Sequence, residues 1–271
     1  MSAPATEAVH EATRDLDRRS VGEIVEAIHA EDHEAWLAVG RALPQIVRAA
    51  EVLVEVLGDG GRWFNVGAGT SGRMGALDAA EVPPTFGVSP TRVQAIIAGG
   101  TAALSRAVEG AEDDCEAGAA ALRERGLGPG DAVVALSASG TTPFTLGCVA
   151  AAAAVGARTI GITCDARSPL ALRASIGIAP EVGPEVIAGS TRMKGGLAQK
   201  MVLHLLSTTT MVRLGCVSGN LMTHLRPVST KLRERSERIV MAVAGVDRAA
   251  AVRLLERADG EVARAVELSG R

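Results

Sequence analysis

The chain has 271 residues, with 28 basic and 31 acidic side chains and a formal net charge of −3. Because 47% of the residues are apolar, the chain can bury a sizeable core, and this excludes a disordered polymer. The near-neutral charge and the scarcity of aromatic residues argue against nucleic acid as a partner. The uncharged stretch 132–157 is too polar in its first half to cross a membrane.

The cysteines and the first residues of the chain predict its compartment. No CxxC pair is present, and the first residues include several acids but no apolar segment typical of a secretory signal. These features predict reduced thiols in a cytoplasmic protein. The four cysteines are Cys115, Cys148, Cys164 and Cys216.

In chain order, apolar periodicity predicts an alternation of helices and strands. Helices are predicted over residues 7 to about 57, 104–125, 144–155, about 194–214, and in the charged tail 231–271. Strands are predicted at 63–66, 93–97, 132–136 and 159–163, with one or two short strands between 176 and 187. Such alternation indicates right-handed crossovers and an α/β fold in which helices cover both faces of a parallel sheet.

The first predicted strand ends in a glycine loop, Gly67-Ala-Gly-Thr-Ser-Gly-Arg73. The loop matches G-x-G-x-x-G, so a dinucleotide site is one interpretation. That interpretation also requires an acidic residue at the end of the second strand, and Ile96-Ile-Ala-Gly-Gly100 has none. A tight turn without ligand is a second interpretation. The hydroxyls of Thr70 and Ser71 favour a third, a site for a phosphate monoester at a helix N-terminus.

Two further loops are rich in hydroxyl groups. Ser137-Ala-Ser-Gly-Thr-Thr-Pro143 follows an apolar strand, and Gly189-Ser-Thr-Arg-Met-Lys-Gly195 precedes the long helix. Helix capping would explain Thr142 and Ser190. It would not explain hydroxyl-rich loops in three similar places, so we expect Ser137, Ser139 and Ser190 to join Thr70 and Ser71 around a phosphate.

The hydroxyl-rich loops resemble those of the sugar isomerase (SIS) fold, which binds phosphosugars. Longer strings resemble the N-acetylmuramic acid 6-phosphate etherase family, from about residue 6 to beyond residue 254. These strings are Gly67–Arg73, Leu77-Asp-Ala-Ala-Glu81-Val-Pro-Pro-Thr-Phe-Gly87, Ile96–Gly100, Ala107-Val-Glu-Gly-Ala-Glu-Asp113, Gly189-Ser-Thr-Arg-Met-Lys194 and Gly219-Asn-Leu-Met222.

The resemblance implies a three-layer αβα parallel-sheet SIS fold with N-terminal helices and a small C-terminal helical segment. We therefore expect an N-terminal helical segment at 1–54, the SIS phosphosugar-binding domain at 55–218 and a C-terminal helical segment at 219–271. The implied reaction cleaves the D-lactyl ether of N-acetylmuramic acid 6-phosphate to N-acetylglucosamine 6-phosphate and D-lactate during cell-wall recycling. It uses neither a metal nor a redox cofactor.

The resemblance also implies the roles of three carboxylates. Glu81 is the implied catalytic acid or base, Glu112 the second active-site glutamate, and Glu109 a substrate contact. From the residues alone, Glu81 is either a carboxyl buried among apolar neighbours and prolines or a helix carboxylate in solvent. The residues around Glu112 favour a solvated helix face over a catalytic site.

Two alternatives to the etherase remain open at this stage. One is a phosphosugar aldose–ketose isomerase, and the other is a non-catalytic phosphosugar sensor. We also expect a homodimer, because the N-terminal helices and the 195–214 helix carry apolar surface that one sheet face cannot cover. The chain departs from the family's usual Asp and Asn at His224 and Ser229, and we expect it to end about one helical segment earlier than typical members.

Overall fold

A parallel sheet forms the centre of the computed structural model, which describes residues 5–224 and 230–270. The strand order is β2-β1-β3-β4-β5, and every pairing is parallel. Gly67 pairs with both Ile97 and Leu136, so the carboxyl ends of the three strands are level. The loops that follow β1 and β3 therefore leave the sheet side by side. The strands are β1 (Trp63–Gly67), β2 (Val93–Ile97), β3 (Ala132–Leu136), β4 (Arg158–Ile162) and β5 (Ile176–Ile178).

Helices cover both faces of this sheet. Side chains alternate between the faces, so Trp63 and Phe64 enter two different apolar clusters although both are fully buried. One face carries α1 (Val21–Arg41), α2 (Leu43–Gly58), α3 (Gly69–Phe86) and α7 (Lys194–Arg213). The other carries α4 (Cys115–Glu124), α5 (Pro143–Ala154) and α6 (Pro169–Arg173). The predicted three-layer αβα architecture is confirmed.

The N-terminal region differs from the prediction of helices from residue 7 onward. Residues 5–18 form three short 3-10 turns, at Ala5–Glu7, Glu11–Thr13 and Leu16–Arg18. The α-helix α1 starts only at Val21, where the Ser20 hydroxyl accepts the Glu23 N–H and the Glu23 carboxylate accepts the Ser20 N–H. This reciprocal capping box satisfies two backbone donors and fixes the start of the helix.

The predicted continuous helix over residues 104–125 is wrong. Two 3-10 turns, Gly100–Leu104 and Ala111–Asp113, precede α4, which starts at Cys115 with the Asp114 carboxylate accepting the Ala117 N–H at 2.9 Å. Between the two turns, Gly110 has a φ of +73°, a left-handed conformation that ends helical propagation. Residues 105–110 thus form an exposed loop next to the carboxyl edge of the sheet.

The C-terminal helices pack around their own apolar cluster. They are α8 (Thr230–Ala244), α9 (Arg248–Arg257) and α10 (Val262–Glu267), and Val240, Ala251 and Val262 are fully buried among them. The backbone of His224 packs on Gly87, where an added Cβ would meet the His224 carbonyl oxygen at 2.0 Å. Ser229 lies outside the described residues.

The division into segments 1–54, 55–218 and 219–271 stays a prediction. Helix α2 passes through residue 54 and ends at Gly58. In the described ranges, none of the helices combines the length and the apolar character needed to cross a bilayer.

Candidate functional site

The first loop turns directly from β1 into α3. Glycines make the turn possible, because a Cβ on Gly72 would lie 2.6 Å from both the Gly67 carbonyl oxygen and the side chain of Ile97. Ser71 is buried with 8% of its surface exposed, and Thr70 is half-buried. Both residues lie in the first turn of α3, where backbone N–H groups have no helical acceptor.

The second loop carries a connected set of hydroxyl groups. The Ser137 hydroxyl lies 2.8 Å from that of Thr142 and accepts the Gly140 N–H at 3.0 Å. The Ser139 hydroxyl lies 2.9 Å from that of Thr141. Thr142 occupies the N-cap position of α5, but its side chain makes no capping hydrogen bond. The capping role considered for Thr142 is therefore wrong, and its hydroxyl belongs to the loop network.

The third loop is organised by a residue that the sequence did not single out. Ser190 does not cap α7: the N-cap position belongs to Met193, and the Glu185 carboxylate accepts the N–H groups of Lys194 and Gly195 at 3.0 and 2.9 Å. Glu185 is fully buried, and burial raises its pKa although the two N–H groups oppose the shift. A carboxylate nine residues before a helix has no local capping signature, so sequence patterns could not reveal it.

The three loops meet at the first turn of α7. A Cβ placed on Gly195 would lie 3.3 Å from the Cβ of Ala138 in the second loop and 3.5 Å from that of Thr191 in the third. A Cβ on Gly196 would lie 3.1 Å from the methyl group of Thr70 in the first loop. Two consecutive glycines thus let all three loops approach one helix end. The hydroxyl groups of Thr70, Ser71, Ser137, Ser139 and Ser190 belong to this cluster of loops.

The carboxylates with predicted catalytic roles are exposed in the single chain. Glu81 lies on α3 with 61% of its side chain exposed, and Lys200 Nζ on α7 lies 3.8 Å from its Oε2. The burial of Glu81 among apolar neighbours is therefore not found. Glu109 and Glu112 are exposed too, on the 105–113 segment, whose Arg106 carbonyl accepts a hydrogen bond from the side chain of Arg73 at 3.2 Å. That contact holds the segment beside the first turns of α3.

One helical turn before Glu81, the structure contains a buried carboxyl group. Asp78 is 3% exposed, and its Oδ1 accepts the hydroxyl of Ser207 at 2.9 Å. Burial raises the pKa of Asp78 from 3.8 to about 6, partly opposed by Ser207 and Lys200. Sequence patterns did not indicate Asp78, because its burial depends on packing between α3 and α7.

An ion pair between a buried lysine and a partly buried glutamate fixes the other side of the third loop. Lys194 is 2% exposed, and its Nζ lies 2.5 Å from Glu31 on α1, which also contacts His10 Nε2 at 3.1 Å. The N-terminal turns reinforce the contact, because the Thr13 hydroxyl donates to the Val186 carbonyl at 3.0 Å. Among residues 5–224 and 230–270, no three His, Cys, Asp or Glu side chains cluster as metal ligands would.

Comparison with known sequences decides the family. The SIS domain matches residues 117–212, and the glucokinase regulatory protein N-terminal SIS domain matches residues 45–153. A protein of Symbiobacterium thermophilum named N-acetylmuramic acid 6-phosphate etherase is 49% identical over 261 residues, covering 96% of this chain and 87% of that protein. A Salinibacter ruber protein of the same name is 50% identical over 263 residues, covering 97% and 85%.

The chain belongs to the N-acetylmuramic acid 6-phosphate etherase family. The resemblance read from the sequence is thereby confirmed, and these etherase relatives do not favour the isomerase or sensor alternatives.

Solved structures show the same fold at low sequence identity. A phosphoheptose isomerase from Francisella tularensis superimposes with a TM-score of 0.56 at 18% identity, covering 71% of this chain and 98% of that one. The Vibrio vulnificus NanR protein complexed with ManNAc-6P gives a TM-score of 0.51 at 13% identity, covering 85% and 72%. The predicted SIS fold of this etherase family member is confirmed.

Proposed function

We propose that the chain cleaves the D-lactyl ether of N-acetylmuramic acid 6-phosphate during peptidoglycan recycling, giving N-acetylglucosamine 6-phosphate and D-lactate. The observation that carries the proposal is the 49–50% identity to named etherases across nearly the whole chain. The convergence of three hydroxyl-rich loops on Gly195 and Gly196 supports it, because such a cluster suits a phosphosugar.

The 6-phosphate is placed in this proposal among Thr70, Ser71, Ser137, Ser139 and Ser190. Support comes from the position of the first four at the carboxyl edge of the sheet, where α3 and α5 begin, and from the approach of the third loop, which carries Ser190, to the other two at Gly195 and Gly196. N–H groups at the helix starts and the helix dipoles favour an anion there. The Vibrio vulnificus NanR protein, which shares the fold, is complexed with ManNAc-6P in its solved structure, so the fold accommodates such a compound.

The chemistry follows from the substrate. When the sugar is in its open-chain form, the ether oxygen on C3 is β to the C1 aldehyde. Loss of the C2 proton therefore lets the C3–O bond break, and the electron pair of that bond leaves with lactate. Protonation of the leaving oxygen completes the elimination. Water then adds at C3 of the unsaturated aldehyde while C2 regains a proton. We assign the proton transfers to Glu81 and Glu112, and a substrate contact to Glu109, through their positions in the family motifs.

The decisive experiment incubates the purified chain with N-acetylmuramic acid 6-phosphate in D₂O and measures D-lactate and the product. We expect stoichiometric D-lactate, with deuterium at C2 of N-acetylglucosamine 6-phosphate. Absence of D-lactate contradicts the proposed activity. Release of D-lactate without label at C2 contradicts the elimination step alone.

We further propose a homodimer, with the sugar site near the subunit boundary. Support comes from the large apolar residues exposed on α1 and α2, and from a cavity of about 500 Å³ between α2 and α7. A second copy would remove this apolar surface from water. Light scattering at micromolar concentration tests the dimer, and a monomer mass contradicts it. The exposed residues include Val21, Val25, Trp36, Leu43 and Val47.

A cytoplasmic location is part of the same proposal. All four cysteines are free thiols, which suits a reducing compartment. Fractionation of the source cells with a specific antibody tests the location, and recovery outside the cytoplasmic fraction contradicts it.

A further inference from the structure

Lys200 stands between the cluster of loops and Glu81. It follows Gly196 by four residues on α7, so both lie on the same face of the helix, and a Cβ on Gly196 would lie 3.1 Å from the methyl group of Thr70 in the first loop. The Lys200 ammonium lies 3.8 Å from the Glu81 carboxylate, and 32% of its side chain is exposed. The ammonium is therefore partly open to solvent on the face of α7 that also carries Gly196.

The other lysine of α7 has a different environment. Only three of the 28 basic residues are lysines, and two of these, Lys194 and Lys200, lie on α7. Lys194 is almost fully buried, and Glu31 already balances its charge within the fold. Lys200 has as its ion-pair partner the carboxylate that we assign to proton transfer.

The groups that face Lys200 are mostly acidic. Glu81 and Asp78 approach it from α3, and the field of its ammonium acts on the buried Asp78. On its own helix, the His204 ring contacts the Lys200 carbonyl oxygen at 3.0 Å and not the ammonium. A compact cation thus lies beside two carboxyl groups at the edge of solvent.

The proposed substrate carries two anions, the 6-phosphate and the carboxylate of the lactyl group. Two bonds separate the lactyl carboxylate carbon from the ether oxygen, so the carboxylate oxygens lie within about 4 Å of the oxygen that must be protonated. An acid that protonates this oxygen approaches it to about 3 Å. A cation that binds the lactyl carboxylate must consequently lie close to the acid, and Lys200 lies close to Glu81, one of the two glutamates to which we assign the proton transfers.

We propose that Lys200 binds the lactyl carboxylate and so selects sugars that carry the ether over sugars that do not. The inference rests on the proposed function, since it presupposes the lactyl ether as substrate. Lys200 pairs with Glu81 within the chain itself. When the lactyl carboxylate arrives, the ammonium lies within reach of both carboxylates, so the bound leaving group is held beside Glu81.

Direct binding measurements separate this role from catalysis. The probes are the 1-deoxy analogue of N-acetylmuramic acid 6-phosphate, which cannot open to an aldehyde and so cannot react, and its lactamide counterpart, which lacks the negative charge. Calorimetry with the full chain should show the wild type binding the carboxylate analogue about 10- to 100-fold more tightly than the amide, the range for a hydrogen bond to a charged group.

Three variants test the assignment. Lys200→Met should abolish the preference for the carboxylate while leaving the affinity for N-acetylglucosamine 6-phosphate unchanged. Lys200→Arg, which keeps the charge, should retain most of the preference. Arg158→Met removes an exposed cation at the amino end of β4, at the opposite edge of the sheet, and should change nothing.

The outcomes that overturn the inference differ from those that overturn the function. Lys200 does not bind the lactyl carboxylate if the Lys200→Met variant still binds the carboxylate analogue more tightly than the amide. The same conclusion follows if the variant loses affinity equally for both analogues and for N-acetylglucosamine 6-phosphate. If this happens while the wild type releases D-lactate, only the present inference fails. If the wild type releases no D-lactate from the muramic substrate, the proposed function itself fails.

Discussion

The carboxylate of Glu185 accepts the backbone N–H of Lys194 at 3.0 Å, although nine residues separate them in the chain. The N-terminus of α7 is therefore already occupied by a carboxylate of the protein itself, that of Glu185. Within the described part of the chain, no side chain caps the first turn of α3 or α5, the other two helices that begin at the cluster of loops. We therefore expect the backbone N–H groups at the starts of α3 and α5, rather than those at the start of α7, to bind the substrate phosphate, while the third loop contributes only the hydroxyl of Ser190.

Replacing Glu185 by Ala leaves two backbone N–H groups at the start of α7 without acceptors. An unsatisfied buried donor costs about 1–3 kcal/mol, so Glu185→Ala should lower the free energy of unfolding by at least that amount. Urea denaturation of the variant and the wild type measures this difference in the free energy of unfolding. Glu181→Ala, an exposed position four residues earlier, serves as the matched control. Equal stability of Glu185→Ala and wild type would show that the interaction contributes nothing.

Ser71→Ala and Ser139→Ala should mainly raise KM. The phosphate is far from the reacting bonds and is held alike in the ground state and the transition state, so kcat should change little. Steady-state D-lactate assays give both constants. Ser89→Ala, at an exposed serine after α3, is the control and should behave as wild type. Normal KM in both test variants would refute the phosphate assignment.

Glu81→Gln should lower kcat by about 10²–10⁴-fold, the usual effect of losing a general acid or base. Glutamine keeps the shape of the side chain but cannot transfer a proton at neutral pH. Binding of the unreactive 1-deoxy analogue should survive, because the three loops are unchanged. Glu124→Gln, at an exposed glutamate of α4, controls for loss of a surface charge. Full turnover by Glu81→Gln would remove this residue from the mechanism.

Glu112→Gln should also reduce turnover, and its neighbour provides a stringent control. Glu112 and Asp113 lie on the same exposed 3-10 turn, so either substitution removes one negative charge from the same place. A general electrostatic effect would be equal in Glu112→Gln and Asp113→Asn. A role in the site predicts a loss of kcat/KM only in Glu112→Gln, and comparison of the two variants in one assay decides between them.

Asp78 should make stability depend on pH. Its pKa is 3.8 when unfolded and about 6 when folded, so between these values the folded state binds more protons. The free energy of unfolding then falls as pH rises from about 4 to 6, by about 3 kcal/mol for a two-unit shift, and is level above this range. Asp78→Asn should lack this component, so the stability difference between variant and wild type should change by that amount between pH 4 and pH 7. A pH-independent difference would contradict the shift.

The sequence by itself determined the layers of the fold and the position of the loops. Ala132–Leu136 is a run of five apolar residues, and all five are buried in the central strand β3. Hydroxyl-rich segments follow β1 and β3 directly, and parallel strands bring their carboxyl ends to one edge. These features depend on local pattern and on general rules of chain topology, which a single sequence contains. The motifs around Glu81 and Ser190 were sufficient to indicate the family.

Only the tertiary structure decided which charged groups are buried and which backbone donors they satisfy. Asp78 and Glu81 share one helix within three residues, yet Asp78 packs against Ser207 of α7 while Glu81 faces solvent beside Lys200. Glu185, and not the nearby Ser190, holds the start of α7. Burial and hydrogen bonding of these groups depend on contacts between segments far apart in the chain, and no local periodicity encodes such contacts.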